Sequence, residues 1–297
     1  MKLLLVYNPF AGFRKSGKVF SEVKQLIRAK GMDFDLRFTR AAGEATQMVK
    51  EADLSLYDGV ISSGGDGTLH EVLNGYYQNT SSKKPPIGII PNGTGNSFAI
   101  ELGLQTFEYE KAIEIISKNK IKKVDIGHCK MQNGEFYFHN ILGFGMVADI
   151  NEAANKYKKL GNHSYTIASL EKIMALRTFD LEITLDGKTL KQDNLFVEIS
   201  NTTNTGSDFI MAPEAKIDDG LLDVTISRKT SRWNVIKIFT QVFKGTHIHH
   251  PDIDYIKAKE IIVKTKIDET LTPDGEQYGS TPITVKCLKE DLSFFWS

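Results

Sequence analysis

The feature that most constrains this chain is a rhythm in its first 125 residues. Short apolar runs alternate with helically spaced segments, and glycine-rich breaks follow three of the runs. Residues 3–7 are continuously apolar and end at Asn8-Pro9-Phe10-Ala11-Gly12. Residues 16–30 set Val19, Phe20, Val23, Leu26 and Ile27 at helical spacing. A second strand is expected over 34–38 and a second helix over 43–52. Residues 59–62 predict a third strand, running into Gly64-Gly65-Asp66-Gly67-Thr68 and a helix over 69–77. A fourth strand over 87–90 leads into Pro91-Asn92-Gly93-Thr94-Gly95-Asn96, and a further helix follows over 108–117. Strands interleaved with helices imply a parallel sheet covered on both faces.

The pattern changes after Val124. Strand-like runs at 126–130, 135–140, 181–185, 195–200, 222–227, 261–266 and 283–287 follow one another, with Asn133-Gly134 and Asp186-Gly187 as hairpin turns. Helices are expected over 151–159, 167–176 and 233–243. The expectation is an α/β domain over 1–125, with 289–297 a candidate to rejoin it. A β-rich sandwich with added helices would cover 126–288. A substrate cleft between the two halves is the default for such a chain.

Composition narrows the function. The 37 basic and 37 acidic residues cancel, and the sequence pI is near 7.1, so a strongly basic nucleic-acid binder is excluded. No apolar run reaches the roughly 18 residues of a spanning helix. The apolar start is too short for a signal-peptide core of roughly 7–15 residues and reads as a buried strand. Cys129 and Cys287 form no disulfide framework, so a reducing cytosol is the expected home.

The three glycine-rich breaks should share the carboxyl edge of the sheet, where ligands of open α/β folds gather. Glycine lets backbone amides approach a phosphate closely, and a helix N-terminus adds positive potential. The set therefore suggests a polyphosphate nucleotide. No G-x-x-x-x-G-K-[ST] is present, and no G-x-G-x-x-G follows the first strand, so neither a P-loop nor the usual dinucleotide site is expected. Asp66, set among glycines, can reach a phosphate-bound metal or a substrate hydroxyl. The plainer alternative is an Asp capping the next helix.

Four motifs carry a resemblance. They are Asn8-Pro9-Phe10-Ala11-Gly12; Gly64-Gly65-Asp66-Gly67-Thr68 with Glu71 and Asn74; Pro91-Asn92-Gly93-Thr94-Gly95-Asn96; and the late Asp274-Gly275-Glu276. In this order they resemble the diacylglycerol kinase catalytic superfamily, which includes soluble bacterial diacylglycerol kinases and the sphingosine and ceramide kinases. The central string alone is shared with NAD kinases. The resemblance implies an N-terminal α/β domain like that of NAD kinases and phosphofructokinases, a β-sandwich C-terminal domain, and ATP with Mg²⁺ between them. Asn8, Pro9, Phe10, Ala11, Gly12, Thr39, Gly65–Glu71 and Thr94 then match nucleotide-binding positions, with Gly64, Gly93 and Asn96 in the same strings. Asp66 is the lipid-activating base in one branch of the family and the holder of the Mg²⁺–ATP network in another. In the latter the base falls on Asp274 and Glu276. Phosphoryl transfer needs such carboxylates, because it rests on positioning, charge neutralisation and one proton acceptor.

The same resemblance implies a structural Mg²⁺ on Asp219 and the carbonyls of Lys216 and Leu221. The same residues also read as a plain turn before a strand. Residues 143–151, 156–161 and 175–179 look like sphingosine kinases. There an Asp two residues beyond the Ala-Asp pair, here Ala148-Asp149, recognises the sphingoid head group. This chain has Asn151, which favours a neutral head group such as diacylglycerol. Lys158 matches a basic position near the ATP phosphates. Phe136, Phe138, Ile141, Leu142, Phe144, Tyr165, Ile167, Leu170 and Ile173 are candidates to line an acyl cleft, although most apolar residues are core. The stretch 233–243 is amphipathic beside Arg228, Lys229, Arg232 and Lys237, and faces either the core or a membrane surface. The run His247-Ile248-His249-His250 lacks the spacing of a zinc site. The expectation is a cytoplasmic lipid kinase that visits the inner face of the membrane without nucleic acid, with homodimerisation open. The rival readings are a sphingoid-base or ceramide kinase, an NAD or polyol kinase, and a non-catalytic nucleotide or lipid sensor.

Overall fold

The structure, a computed structural model, describes residues 1–157, 163–206 and 209–297, apart from the side chains at 155 and 163–165. The chain forms two compact units. The first comprises Met1–Ile126 and Glu290–Ser297, and the second Gly127–Lys289.

The first unit runs β1 (Lys2–Tyr7), α1 (Lys15–Ala29), β2 (Asp33–Phe38), α2 (Glu44–Glu51), β3 (Gly59–Gly64), α3 (Asp66–Gln78), β4 (Ile87–Pro91), α4 (Ser97–Glu101) and α5 (Tyr109–Ser117), and then enters β5 (Ile121–Met131). Its strands lie in the order β4-β3-β1-β2, all parallel. Leu3, Leu4, Leu5, Val6, Val60, Ile61, Ile87 and Ile90 are wholly buried, as strands covered on both faces must be. Helix α1 turns Val23 and Ile27, one turn apart, inward, and α5 buries Ala112, Ile113, Ile115 and Ile116. The chain's last residues complete this core. Phe294 pairs in parallel with Ile87, and the Phe295 ring packs on Gly59 and Gly88, where a Cβ would come within 2.6 Å and 3.1 Å of it.

The second unit continues β5 and adds β6 (Gly134–Phe138), β7 (Ile141–Gly145), α6 (Met146–Lys156), α7 (His163–Met174), β8 (Phe179–Leu185), β9 (Lys188–Ser200), β10 (Asn204–Thr205), β11 (Phe209–Ile210), β12 (Leu222–Arg228), α8 (Arg232–Val242), β13 (Ile253–Ala258), β14 (Glu260–Thr265), β15 (Leu271–Pro273) and β16 (Ile283–Phe295). Antiparallel pairing gives the order β13-β12-β9-β8-β14-β16, with β7 between β9 and β15. The β8–β9 hairpin turns on Asp186 (φ 45°) and Gly187 (φ 84°), the double positive φ that an Asp-Gly turn supplies. Phe136, Phe138, Leu142 and Phe144 join Leu181, Ile183, Val197 and Val224 in one core. Those four are therefore packed inside the fold and do not line an acyl cleft. Ile173 is buried with α8, whereas Leu170 is half exposed. Tyr165 lies outside the described side chains. Among the described residues no helix is long and apolar enough to cross a membrane.

Candidate active site

Register brings four loop starts to one edge of the first unit. Tyr7 lies opposite both Phe38 and Ser63, and Gly64 opposite Pro91, so Asn8, Thr39, Gly65 and Asn92 all emerge at the carboxyl ends of their strands. Backbone bonds lock them: Asn8 N donates to Ser63 O (2.8 Å), Thr39 N to Tyr7 O (3.0 Å), and Asn92 N and Gly93 N to Gly64 O (2.8 and 2.9 Å). The loops then pass with no space for side chains. A Cβ on Gly93 would stand 2.2 Å from Gly65 Cα, and one on Gly12, already at φ 58°, 2.6 Å from Asn92 O. This close approach is why glycine is needed here.

Side chains finish the edge. Asn8 accepts from Phe10 N (3.0 Å) and donates to Thr68 Oγ1 (3.1 Å), tying the first loop to α3. Pro9, Phe10 and Ala11 form its rim, with Phe10 half exposed, and Thr94 stands exposed on the third loop. Asn96 (φ 52°) accepts from Gly93 N and donates to Gly93 O and Thr106 Oγ1, so its amide builds the turn itself. Glu71 is likewise committed: its carboxylate accepts from Gly43 N (2.8 Å) and Ala45 N (3.0 Å) and caps α2.

Helix α3 begins at Asp66, and its glycine cap, Gly65, supplies no side-chain bond to the first turn. Gly67 and Thr68 complete that turn. A helix N-terminus of this kind attracts an anion through its amides and dipole. The side chain of Asp66 accepts from Ser97 Oγ (3.3 Å), and the buried Asn92 Oδ1 has no partner among the described residues. A phosphate chain fits a backbone cradle of this kind. The Asp66 carboxylate beside it calls for a cation to offset their mutual repulsion.

The second unit carries the other carboxylates. Asp274 and Gly275 form a left-handed turn (φ 47° and 87°). Asp274 Oδ1 accepts from Asn140 N (2.9 Å) and Ile141 N (3.1 Å). Its Oδ2 accepts from His139 N (3.3 Å) and sits 3.0 Å from His139 Nδ1, both side chains being wholly buried. Asp274 N in turn donates to Ile141 O. Asn201 extends the network by donating to His139 O, and Thr202 Oγ1 donates to Asn140 Oδ1. Glu276 is exposed on the turn that this anchor fixes, with its amide on Pro273 O.

Asn151 and Asp149 flank the same turn on α6. Asn151 Nδ2 donates to Gly275 O (2.6 Å). Asp149 is gripped at both oxygens by Arg177 (2.6 and 3.0 Å), whose guanidinium also holds Glu269 (2.8 and 2.7 Å). Hydrogen bonds to Glu269 and Asp149 push the Arg177 pKa further up, so the cation is permanent. The string 175–179, which looks like sphingosine kinases, contains Arg177, but nothing in the sequence showed it as the centre of this triad. Glu198 was also missed. It is a lone acid in an apolar run on β9, opposite Gly143, and accepts from Thr205 Oγ1 (2.6 Å); burial raises its pKa to about 7.

In the Asp219 turn, Asp219 Oδ1 accepts from Leu221 N (3.0 Å). Lys257 Nζ lies 3.5 Å from Asp219 Oδ2 and 3.2 Å from Asp223 Oδ1. Two carboxylates against one ammonium leave net negative charge, which a divalent cation would satisfy. Among the described residues no three His, Cys, Asp or Glu side chains converge on a metal, so such an ion would depend on carbonyls such as those of Lys216 and Leu221. His247 is a core histidine, with Nε2 at 3.1 Å from Met211 O and its pKa pushed down to about 4 by burial. Lys158 lies outside the described residues.

The comparisons with known proteins agree over the whole chain. Residues 2–129 match the diacylglycerol kinase catalytic domain, and 140–296 the YegS C-terminal NAD kinase β-sandwich-like domain. The diacylglycerol kinase of Bacillus subtilis strain 168 is 32% identical over 280 residues, covering 94% of this chain and 90% of that protein. That of Staphylococcus carnosus strain TM300 is 31% identical over 293 residues, 98% of this chain and 94% of its own. A crystal structure of a candidate diacylglycerol kinase from Bacillus anthracis strain Sterne superposes with a TM-score of 0.84 at 28% identity, spanning 100% of this chain and 95% of that one. A kinase domain of this kind implies the use of ATP. The chain belongs to the diacylglycerol kinase family and is a lipid kinase.

Proposed function

We propose that the enzyme transfers the γ-phosphoryl group of ATP, with Mg²⁺, to the primary hydroxyl of diacylglycerol, giving phosphatidic acid. The observation that carries the choice of lipid is the charge state beside the Asp274 turn. Asp149 has both oxygens held by Arg177, which it shares with Glu269, and the next candidate, Asn151, is an uncharged amide already donating to Gly275 O. A protonated sphingoid amine would want a carboxylate there, whereas a glycerol head group needs only hydrogen bonds.

The residues divide the work. The glycine cradle and the α3 terminus hold the phosphates, and Asp66 orients the metal that neutralises them. When bound, Mg²⁺ supplies charge compensation for the transferring group. Asp274 has its oxygens committed to three backbone amides and His139, so it serves as the anchor of the turn. Glu276, exposed on that turn, is the carboxylate available to take the hydroxyl proton. The lipid would be met at the inner face of a membrane from the cytoplasmic side.

Labelled ATP with micellar diacylglycerol, sphingosine, ceramide or NAD tests this reading. Label should pass to diacylglycerol. Asn151→Asp should lose at least about tenfold on diacylglycerol and gain on sphingosine, the scale of one charge-assisted contact. Preferential labelling of sphingosine or NAD by the unmodified enzyme would overturn it.

A further inference from the structure

Helix α8 has two faces, and its fold uses only one. Val235, Ile238 and Val242 recur at helical spacing and are buried against Met146, Phe196 and Met211. At the N-terminus Ser231 caps the helix by accepting from Asn234 N. At the C-terminal end Phe209, Phe239 and Phe243 form an aromatic cluster with centroids 4.9–5.9 Å apart. The helix is therefore held in place without its outer face. That face presents Trp233, Lys237, Thr240 and Lys244, at successive spacings of four, three and four. Trp233 is 77% exposed and Phe243 41%. A Trp so exposed leaves its amphipathic ring available to a partner surface.

Charge points to what covers it. From Arg228 to Pro251 the sequence has five Lys or Arg residues and no Asp or Glu, in a chain whose charges otherwise cancel. Arg228 is engaged by Asp254, and Lys229 approaches Asp193 at 3.5 Å. Arg232, Lys237 and Lys244 are exposed and make no ion pair among the described residues. Amphipathic Trp beside unpaired Lys and Arg is the composition that settles at a lipid–water interface, with the ring at head-group depth and the cations on anionic lipid.

We propose that the outer face of α8 docks this enzyme on an anionic membrane surface, with Trp233 inserting among the head groups and Arg232, Lys237 and Lys244 supplying the attraction. The choice of a bilayer over another acidic surface rests on the lipid-kinase reading. Each exposed cation near such a surface strengthens the attraction, and the effect fades beyond a Debye length of about 8 Å at physiological salt. A local patch thus gives the enzyme a weak, reversible grip that its net charge of zero cannot.

The full chain is to be mixed with phosphatidylcholine vesicles, with and without phosphatidylserine, and scored by co-sedimentation and Trp emission. Binding should need phosphatidylserine and weaken with salt. Lys237→Glu with Lys244→Glu should reduce it at least about tenfold. Vesicles should blue-shift the emission of the wild-type chain but not of Trp233→Phe, in which Trp296 remains. Both variants should keep wild-type melting and wild-type activity on short-chain diacylglycerol in neutral micelles. Equal binding by wild type and the double variant, or no emission shift, would refute the docking face while leaving the kinase reading intact. Emission changes with duplex DNA but not with vesicles would refute it as well. Vesicle binding without transfer to diacylglycerol would refute the substrate and keep the face.

Discussion

Glu198 offers a stability prediction whose size can be worked from its surroundings. The side chain is fully buried on β9, and its strongest partner is the Thr205 hydroxyl at 2.6 Å. Desolvation raises its pKa from 4.5 to about 7. The difference, about 2.5 units at 1.36 kcal/mol each, is about 3 kcal/mol. The sign follows from linkage. Between about pH 4.5 and 7 the unfolded chain releases this proton while the folded chain keeps it, so rising pH costs stability through this group. Glu198→Gln keeps the shape and an oxygen for Thr205 but cannot ionise. It should be close to neutral at pH 4.5 and more stable than wild type by up to about 3 kcal/mol at pH 8, or about 6 °C in Tm for a chain of this size. Thermal melts of both proteins across that range measure the gap. A difference that does not grow with pH would refute the argument that Glu198 is buried and protonated.

Two further outcomes follow from the candidate site. Asp66→Asn and Asp274→Asn should each lower kcat at least about 10²-fold, the first through the metal and the second through a displaced turn; near-wild-type turnover in either would remove that residue from its role. Gly93→Ala should raise the KM for ATP and lower Tm, because its Cβ would lie 2.2 Å from Gly65 Cα. An unchanged KM would show that the cradle does not contact the nucleotide.

The parallel half of the fold was legible because its signals are local. Strands buried on both faces read as unbroken apolar runs, so 3–7 and 59–62 mark β1 and β3 within two residues. In the antiparallel half one face often meets solvent, and the signal weakens. Strand β9 begins with Lys188–Asn194, whose side chains are mostly exposed, so only its buried end at 195–200 was visible. Strand β7 was hidden by its glycines, and β13 by its alternating Asp254, Tyr255 and Lys257. The glycine-rich edge of the first unit was readable because its glycine clusters directly follow strands. The anchoring of Asp274 was not, since its partners His139, Asn140 and Ile141 lie more than 130 residues earlier in the chain. Nor was the Arg177 grip on Asp149, which turned a candidate head-group contact into half of an ion pair.

The return of Glu290–Ser297 to the first unit bears on the order in which the enzyme can be made. The glycine-rich loops proposed to hold the nucleotide lie between Asn8 and Asn96, yet Phe294 and Phe295, both wholly buried, complete the core of the same unit. During synthesis the N-terminal half must therefore wait, with β4 lacking this edge partner and Gly59 and Gly88 lacking their covering ring, until Phe294 and Phe295 have been made. A chain ending before Phe294 would leave that core open.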